Sequence, residues 1–133
     1  MLDTDTLVHF INRKPRFERV ARRMSGRSPG ELRMSAVTLA ELRFGVAKSA
    51  RAKENSAALE ELLDAILPEP FPPEAALDFG DIKVQLMRRG RLIGPYDLLI
   101  AAHAKYLGAV LVTNNEREFR RVPGLSVQNW LAP

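Results

Sequence analysis

Three acidic residues and one polar turn stand where a solvated surface has no need of them. Asp3 opens the run Asp3-Thr4-Asp5-Thr6 directly after Met1-Leu2. If Met1-Leu2 ends a strand, Asp3 lies at its carboxyl end, where open parallel sheets bind their ligands. The plainer reading is a helix cap, a task for which Thr4 or Asp5 would serve. Counting by three and four from Val37 reaches Ala40, Glu41 and Phe44, so Glu41 falls on or beside an apolar stripe. A buried charge is costly unless it is paired or bound to a cation. Pairing with Arg43 at the edge of the stripe is the plainer reading there. Asp97 follows Pro95, which suits a first helical position, and a negative charge in a first turn is favoured by the helix dipole. Asp97 also shares a face with Ile100, Ala101 and Ala104, small or apolar residues that turn it inward. Thr113-Asn114-Asn115 closes the apolar run 109–112, either as a turn, which Asn favours, or as the polar end of a strand beside the first.

Brought together, Asp3, Glu41 and Asp97 would repel one another and raise their own pKa values. A divalent cation removes the conflict. Mg2+ and Mn2+ take hard oxygen ligands and keep several waters, and such an ion activates water and polarises a phosphodiester. Other chemistries are closed off. The chain has no cysteine, which excludes thiol nucleophiles, disulfides and zinc ribbons, and its two histidines, His9 and His103, are too few for a histidine-rich site. It has 20 basic residues, mostly arginine, against 16 acidic ones, a net charge of +4. Arginine's planar fork suits phosphate, so nucleic acid is a fitting partner for an acidic metal site in a basic protein.

The elements that must position these residues read as alternating helices and short strands. Apolar spacing predicts helices over 16–24, 37–48, 52–67, 73–89 and 95–108, the fourth starting at Pro73 and stopping before Gly90. Leu59, Leu62, Leu63, Ile66 and Leu67 form the buried side of the third. The clearest strand is 109–112; 32–35 and 125–127 are weaker, and Met1-Leu2 is the end of a first. Short apolar strands between helices indicate a parallel sheet covered on both faces, hence an α/β class. The 133 residues make one domain, 1–133, in which the proline-rich stretch 68–73 is a connection between elements. No apolar run is long enough to span a membrane and no leader opens the chain, which predicts a cytoplasmic protein.

Four blocks in order resemble the PIN-domain family, most closely the VapC toxins of bacterial toxin–antitoxin pairs: Leu2-Asp3-Thr4-Asp5; Thr38-Leu39-Ala40-Glu41-Leu42-Arg43-Phe44-Gly45; Ile93-Gly94-Pro95-Tyr96-Asp97 through His103; and Leu111-Val112-Thr113-Asn114-Asn115 through Phe119. The resemblance implies a three-layer α/β/α sandwich with a mainly parallel sheet and an endoribonuclease dependent on Mg2+ or Mn2+. It puts the metal-holding acids at Asp3, Glu41 and Asp97. The fourth family position, often Asp, is Asn115 here, which leaves Glu116 or Glu118 to supply a further carboxylate; Thr4, Asp5 and Thr113 are supporting residues. Family members usually carry a few residues more before the Leu-Asp-Thr block, so the first strand here is short. Arg91, Arg117, Arg120 and Arg121 flank the motifs and are candidates to hold RNA phosphates, against the plainer reading of a solvated basic face. His103, six residues beyond Asp97, points elsewhere.

The resemblance also implies a homodimer, transfer RNA as substrate, and a VapB-like antitoxin that lays its C-terminal segment across the toxin and carries the DNA-binding part. Nothing in the chain reads as a DNA-reading helix. Two alternatives remain: a catalytically silent PIN-fold binding module, kept open by Asn115, and a Rossmann-like nucleotide binder, ranked last because no glycine-rich phosphate loop is present.

Overall fold

Residues 1–3 hold the sheet together. The computed structural model describes residues 1–28 and 30–133. Strand β1 (Arg33–Ser35) pairs in parallel with β2 (Leu67–Glu69), and β3 (Leu111–Val112) pairs in parallel with β4 (Val127–Gln128). The N-terminal residues lie between the two pairs. Leu2 forms a parallel bridge with Val112 and donates its N–H to Arg33 O at 2.8 Å. Val112 N–H reaches Met1 O at 2.8 Å and Asp3 N–H reaches Val112 O at 3.0 Å.

Successive strand residues face opposite sides of a sheet. Met1 and Leu111 enter one core with Ile82, Leu86, Ile100 and Phe119. Leu2 and Val112 enter the other with Leu7, Val20, Leu59 and Leu62. The sheet is therefore the middle layer of an α/β/α sandwich. Helices α5 (Ala75–Arg88), α6 (Pro95–Leu107) and α7 (Glu116–Phe119) cover the first face; α1 (Thr4–Ile11), α2 (Phe17–Ser25) and α4 (Ala52–Ala65) cover the second, joined by α3 (Ala36–Lys48) through Leu42.

The helix boundaries follow from local chemistry. Asp3 caps α1 and Ser35 caps α3, each side chain accepting from a first-turn N–H. Pro95 opens α6, and Gly108 closes it in the left-handed conformation at φ 63°, so that Ala109 N–H bonds back to Ala104 O at 2.9 Å. Since α6 leads into β3 through a short turn, its first residues lie at the carboxyl edge of the sheet.

Several expectations need correction. The third helix ends at Ala65, and Leu67–Glu69 is a strand whose Leu67 is exposed rather than buried. Pro68 has no N–H to donate, which a strand tolerates where that side of the ladder is unpaired. Leu63 is only partly buried. Helix α1, unread in the sequence, hides in a stretch too short for clear periodicity. The strand at 109–112 narrows to Leu111–Val112, and 125–127 shifts to Val127–Gln128. In α3 the buried residues are Thr38 and Leu42, while Phe44 is exposed, because α3 packs against α1, α4 and α6 and presents no single stripe. His103 is fully buried, its Nδ1 2.8 Å from Ser35 Oγ and its ring edge-on to Phe71.

Helices α5 and α6 form the most extensive helix pair, with Leu86 fully buried between layers. Leu86→Ala should lower unfolding stability by about 3 kcal/mol through the cavity it leaves. A shift of the urea midpoint at unchanged slope would show it; a loss under 1 kcal/mol would mean that the site collapses around the smaller side chain.

Candidate metal centre

Four carboxylates from four different elements meet at the carboxyl edge of the sheet. Asp3 follows Leu2, which bridges to β3; Glu41 lies in the second turn of α3, Asp97 in the first turn of α6, and Glu118 in α7. Asp3, Glu41 and Asp97 line one cleft of about 490 Å3, together with Thr4, Asp5, Asn114 and Asn115.

Asp3 is the most enclosed, at 3 % exposure. Its Oδ1 accepts from Thr6 N–H at 2.8 Å, so the cap falls on Asp3 itself and not on Thr4 or Asp5. The hydroxyls of Thr113 and Thr6 also reach its carboxylate. Burial nevertheless pushes the Asp3 carboxyl up to about 6, against three donors that favour the charge. Desolvation therefore outweighs the donors here. The capping and metal-holding readings of Asp3 are compatible, since the cap occupies one oxygen.

Asp97 is raised to about 6 as well, first by burial and then by the negative charges of Asp3, Glu118 and Glu41. Asp97 and Glu118 are within hydrogen-bonding reach of each other. Glu41 accepts from the Thr4 hydroxyl at 2.6 Å, and the Thr38 hydroxyl lies 3.2 Å from that of Thr4. The expected pairing of Glu41 with Arg43 does not form, because Arg43 is bound to Glu60 at 2.8 Å.

Asn115 has a definite place. Its side-chain amide donates to Glu118 Oε2 at 3.0 Å, and its backbone N–H donates to Thr113 Oγ1 at 2.9 Å. It thus aims Glu118 at Asp97. Glu116 faces away, accepting from Asn129 at 3.0 Å and Arg120 at 2.7 Å, contacts that hold its carboxyl below the usual range. Asp5 is exposed at the cleft's rim. The contact of Glu118 with Asp97 was unreadable in the sequence, where the two stand 21 positions apart; the only signal was a glutamate one turn beyond Asn115.

The flanking arginines divide. Arg120 is paired with Glu116. Arg121 donates to the carbonyls of Arg91 and Leu92 at 3.4 and 3.2 Å, and so fixes the loop that leads into α6. Arg91 and Arg117 are exposed and carry no ion pair among the described residues.

The donor set fits a hard divalent cation: all oxygen, all acidic, and mutually repelling without one. Among the described residues no three His, Asp or Glu side chains are already drawn tight enough to grip one ion. A small cation of this kind is ordinarily held by one or two carboxylates and completed by water and substrate oxygens, so Asp3 and Asp97 suffice as anchors.

Comparisons with known proteins give the family. The PIN domain family model matches residues 1–125. A "Ribonuclease VapC2" of Haemophilus influenzae is 40% identical over 131 residues, covering 98% of this chain and 97% of the relative. A "tRNA(fMet)-specific endonuclease VapC" of Salmonella typhimurium is 38% identical over 130 residues, covering 98% and 96%. Among solved structures, VapBC2 of Rickettsia felis bound to a promoter DNA fragment superposes with a TM-score of 0.88 at 34% identity, covering 98% of this chain and 97% of that one. The chain belongs to the PIN-domain family. Within it, the relatives that match over nearly the whole length are VapC ribonucleases.

Both raised carboxyls impose a sign on pH dependence. A folded-state pKa above the usual 3.8 adds stability that is present below pH 4 and is lost as pH rises through about 6. In EDTA at neutral pH, Asp97→Asn should therefore melt higher than the parent, by about 3 °C once solvent screening trims the repulsion to about 1 kcal/mol. The gap should close toward pH 4. A variant that melts lower than the parent at pH 7.5 would contradict this account of the cleft.

Proposed function

We propose that this chain is a metal-dependent endoribonuclease, the toxin of a VapBC-type pair, that hydrolyses phosphodiesters of RNA, with transfer RNA as its substrate. The observation that carries the reading is the convergence of Asp3, Glu41, Asp97 and Glu118 at one sheet edge, with Asp3 and Asp97 both held near pKa 6 by burial and, at Asp97, by mutual repulsion.

Mg2+ or Mn2+ would be held by Asp3 and Asp97, with Glu41 beside them, and when bound supplies a polarised water and charge neutralisation at phosphorus. The chain's own residues prepare the place. Thr6 and Thr113 keep the Asp3 carboxylate oriented through donors to its oxygens. Thr4 fixes the Glu41 rotamer. Asn115 aims Glu118 at Asp97, within hydrogen-bonding reach of its carboxyl. No histidine enters the cleft, so proton transfer falls to carboxylates or water. The silent-module alternative rests on the missing acid at Asn115; Glu118 fills that deficit from the next turn.

The partners follow the same reading. A groove of about 1160 Å3, lined by Val8, Ile11, Val37, Phe44, Leu59 and Leu99 among others, runs from the acidic cleft along α1, α3 and α4. Its rim at Thr4 and Glu41 is shared with the cleft. An apolar segment of a VapB-like antitoxin seated there would end beside the carboxylates, in keeping with relatives solved as VapBC complexes. The toxin acts as a homodimer of single 1–133 domains in the cytoplasm, and meets DNA only through the antitoxin. No described helix is long and apolar enough to cross a membrane.

The test is cleavage of total transfer RNA by partner-free protein with Mg2+ or Mn2+. Discrete fragments should vanish in EDTA, and Asp97→Asn should lower the rate at least ~100-fold. Glu118→Gln should weaken apparent metal affinity by ~10–100-fold, since Glu118 supports Asp97 and is not itself an anchor. Cleavage that survives EDTA would remove the reading.

A further inference from the structure

The positive charge of this protein is concentrated on one face that the acidic cleft does not account for. Residues 13–27 hold seven basic side chains, Arg13, Lys14, Arg16, Arg19, Arg22, Arg23 and Arg27, against one acid, Glu18, a local charge of +6. The chain as a whole carries +4, so all other residues together sum to −2. Among the described residues none of these seven forms an ion pair, whereas Arg33, Arg43, Arg51 and Arg120 are all paired. In α2 the apolar residues Phe17, Val20, Ala21 and Met24 fall on one side, and Arg19, Arg22 and Arg23 on the opposite one. All seven are exposed except Arg19, which is half-buried. The turn before α2 even places Arg13 and Arg16 at φ 48° and 74°, where glycine or asparagine would sit with less strain.

The face is joined to the cleft. The guanidinium groups of Arg23 and Arg27 lie 5.9 and 5.4 Å from the centroid of the Trp130 ring. Trp130 follows β4, so it stands at the carboxyl edge of the sheet, the same edge as the carboxylates. Its neighbour Asn129 donates to Asn114 Oδ1 at 3.4 Å and Glu116 Oε2 at 3.0 Å, and Asn114 lines the cleft. Arg19 donates to Leu131 O at 2.9 Å, fastening α2 to the same segment.

We infer that the arginine face of α2 holds the phosphate backbone of RNA alongside the acidic cleft. This rests on the ribonuclease reading and adds to it. A cleft lined with carboxylates repels a polyanion, so the attraction that brings RNA to it must come from elsewhere on the surface. The unpaired arginines of α2 and Arg27, fastened through Arg19, Arg23 and Arg27 to the segment after β4, supply that attraction. Arginines one helical turn apart offer forked donors to successive phosphates, and aromatic-backed guanidinium groups are held in place for that contact. The four arginines read beside the motifs contribute less, because Arg120 and Arg121 are already engaged.

The experiment measures binding of labelled transfer RNA to Asp97→Asn protein, which leaves the RNA intact, across a salt series. The triple Arg16→Gln, Arg22→Gln, Arg23→Gln should bind at least ~10-fold more weakly at low salt. It should lower the slope of log affinity against log salt by about 2, at 0.7 per phosphate contact on single strands. The triple Arg→Lys at the same positions should keep the slope, and the melting temperatures of both triples should match the parent, since these side chains are exposed. With Asp97 intact, the Gln triple should raise KM for transfer RNA and leave kcat nearly unchanged. An unchanged slope and KM would overturn the inference while cleavage by the parent upheld the ribonuclease reading. A loss confined to duplex DNA, with transfer RNA unaffected, would overturn it too. A reduced slope in a protein that cuts no RNA would keep the RNA-holding face and remove the nuclease.

Discussion

Repulsion between like charges organises this molecule. The fold gathers Asp3, Glu41, Asp97 and Glu118 from elements far apart in sequence and withdraws Asp3 and Asp97 from water, which by itself is unfavourable. Three of the four are nevertheless held in place by a specific neighbour: Asp3 by Thr6 and Thr113, Glu41 by Thr4, Glu118 by Asn115. A cluster assembled at such cost is stable only if something neutralises it. Burial pushes both Asp3 and Asp97 up to about 6, and at Asp97 the charges of Asp3, Glu118 and Glu41 add to it. A hard cation would neutralise the cluster. The same property that makes the cleft a strained part of the fold makes it suited to such an ion.

The parallel sheet explains why the acids meet at all. In parallel strands the carboxyl ends lie together, and each helix that follows a strand begins at that edge. Asp3 and Ser35 are both last residues of extended segments and first caps of helices, so the turns that end the strands also deliver α1 and α3 to the cleft. Asp97 arrives from the opposite direction, at the start of a helix that runs back against β3. Helix N-termini offset part of the charge through their free N–H groups. The weak point is residues 1–3, which among the described residues carry the backbone hydrogen bonds that join the two strand pairs. Asp3 belongs to that connection, so sheet continuity and cleft geometry rest on the same three residues.

Much of this was legible in the sequence where one residue carried two independent signals. Asp97 stood out because Pro95 fixed the helix start while Ile100, Ala101 and Ala104 fixed the inward face. Asp3 stood out through its place after an apolar pair, although the cap was assigned to its neighbours. The reading failed where tertiary packing sets the outcome. Helix α3 touches three other helices, so its apolar residues do not form one stripe, and Phe44 lies outside. Leu67 follows a helical pattern but is captured by pairing with Arg33. Glu118 could not be told from Glu116 by spacing, since their difference is which partner each finds: Asn115 for one, Asn129 and Arg120 for the other.

Net charge was the least informative number until it was placed on the structure. A value of +4 is unremarkable for a domain of 133 residues. Separated into +6 over residues 13–27 and −2 over all the others, it shows where the excess charge lies. Long-range attraction falls off over roughly 10 Å at moderate salt, so only charges near the cleft can influence what enters it. A chain of contacts runs from Arg23 and Arg27 through Trp130 and Asn129 to Asn114 at the cleft. Carboxylates that a single divalent ion neutralises only in part offer a polyanion little attraction of their own, and a basic face distant from them would hold it out of register. Their meeting at one edge, fastened by the segment after β4, is what allows opposed charges to serve a single substrate.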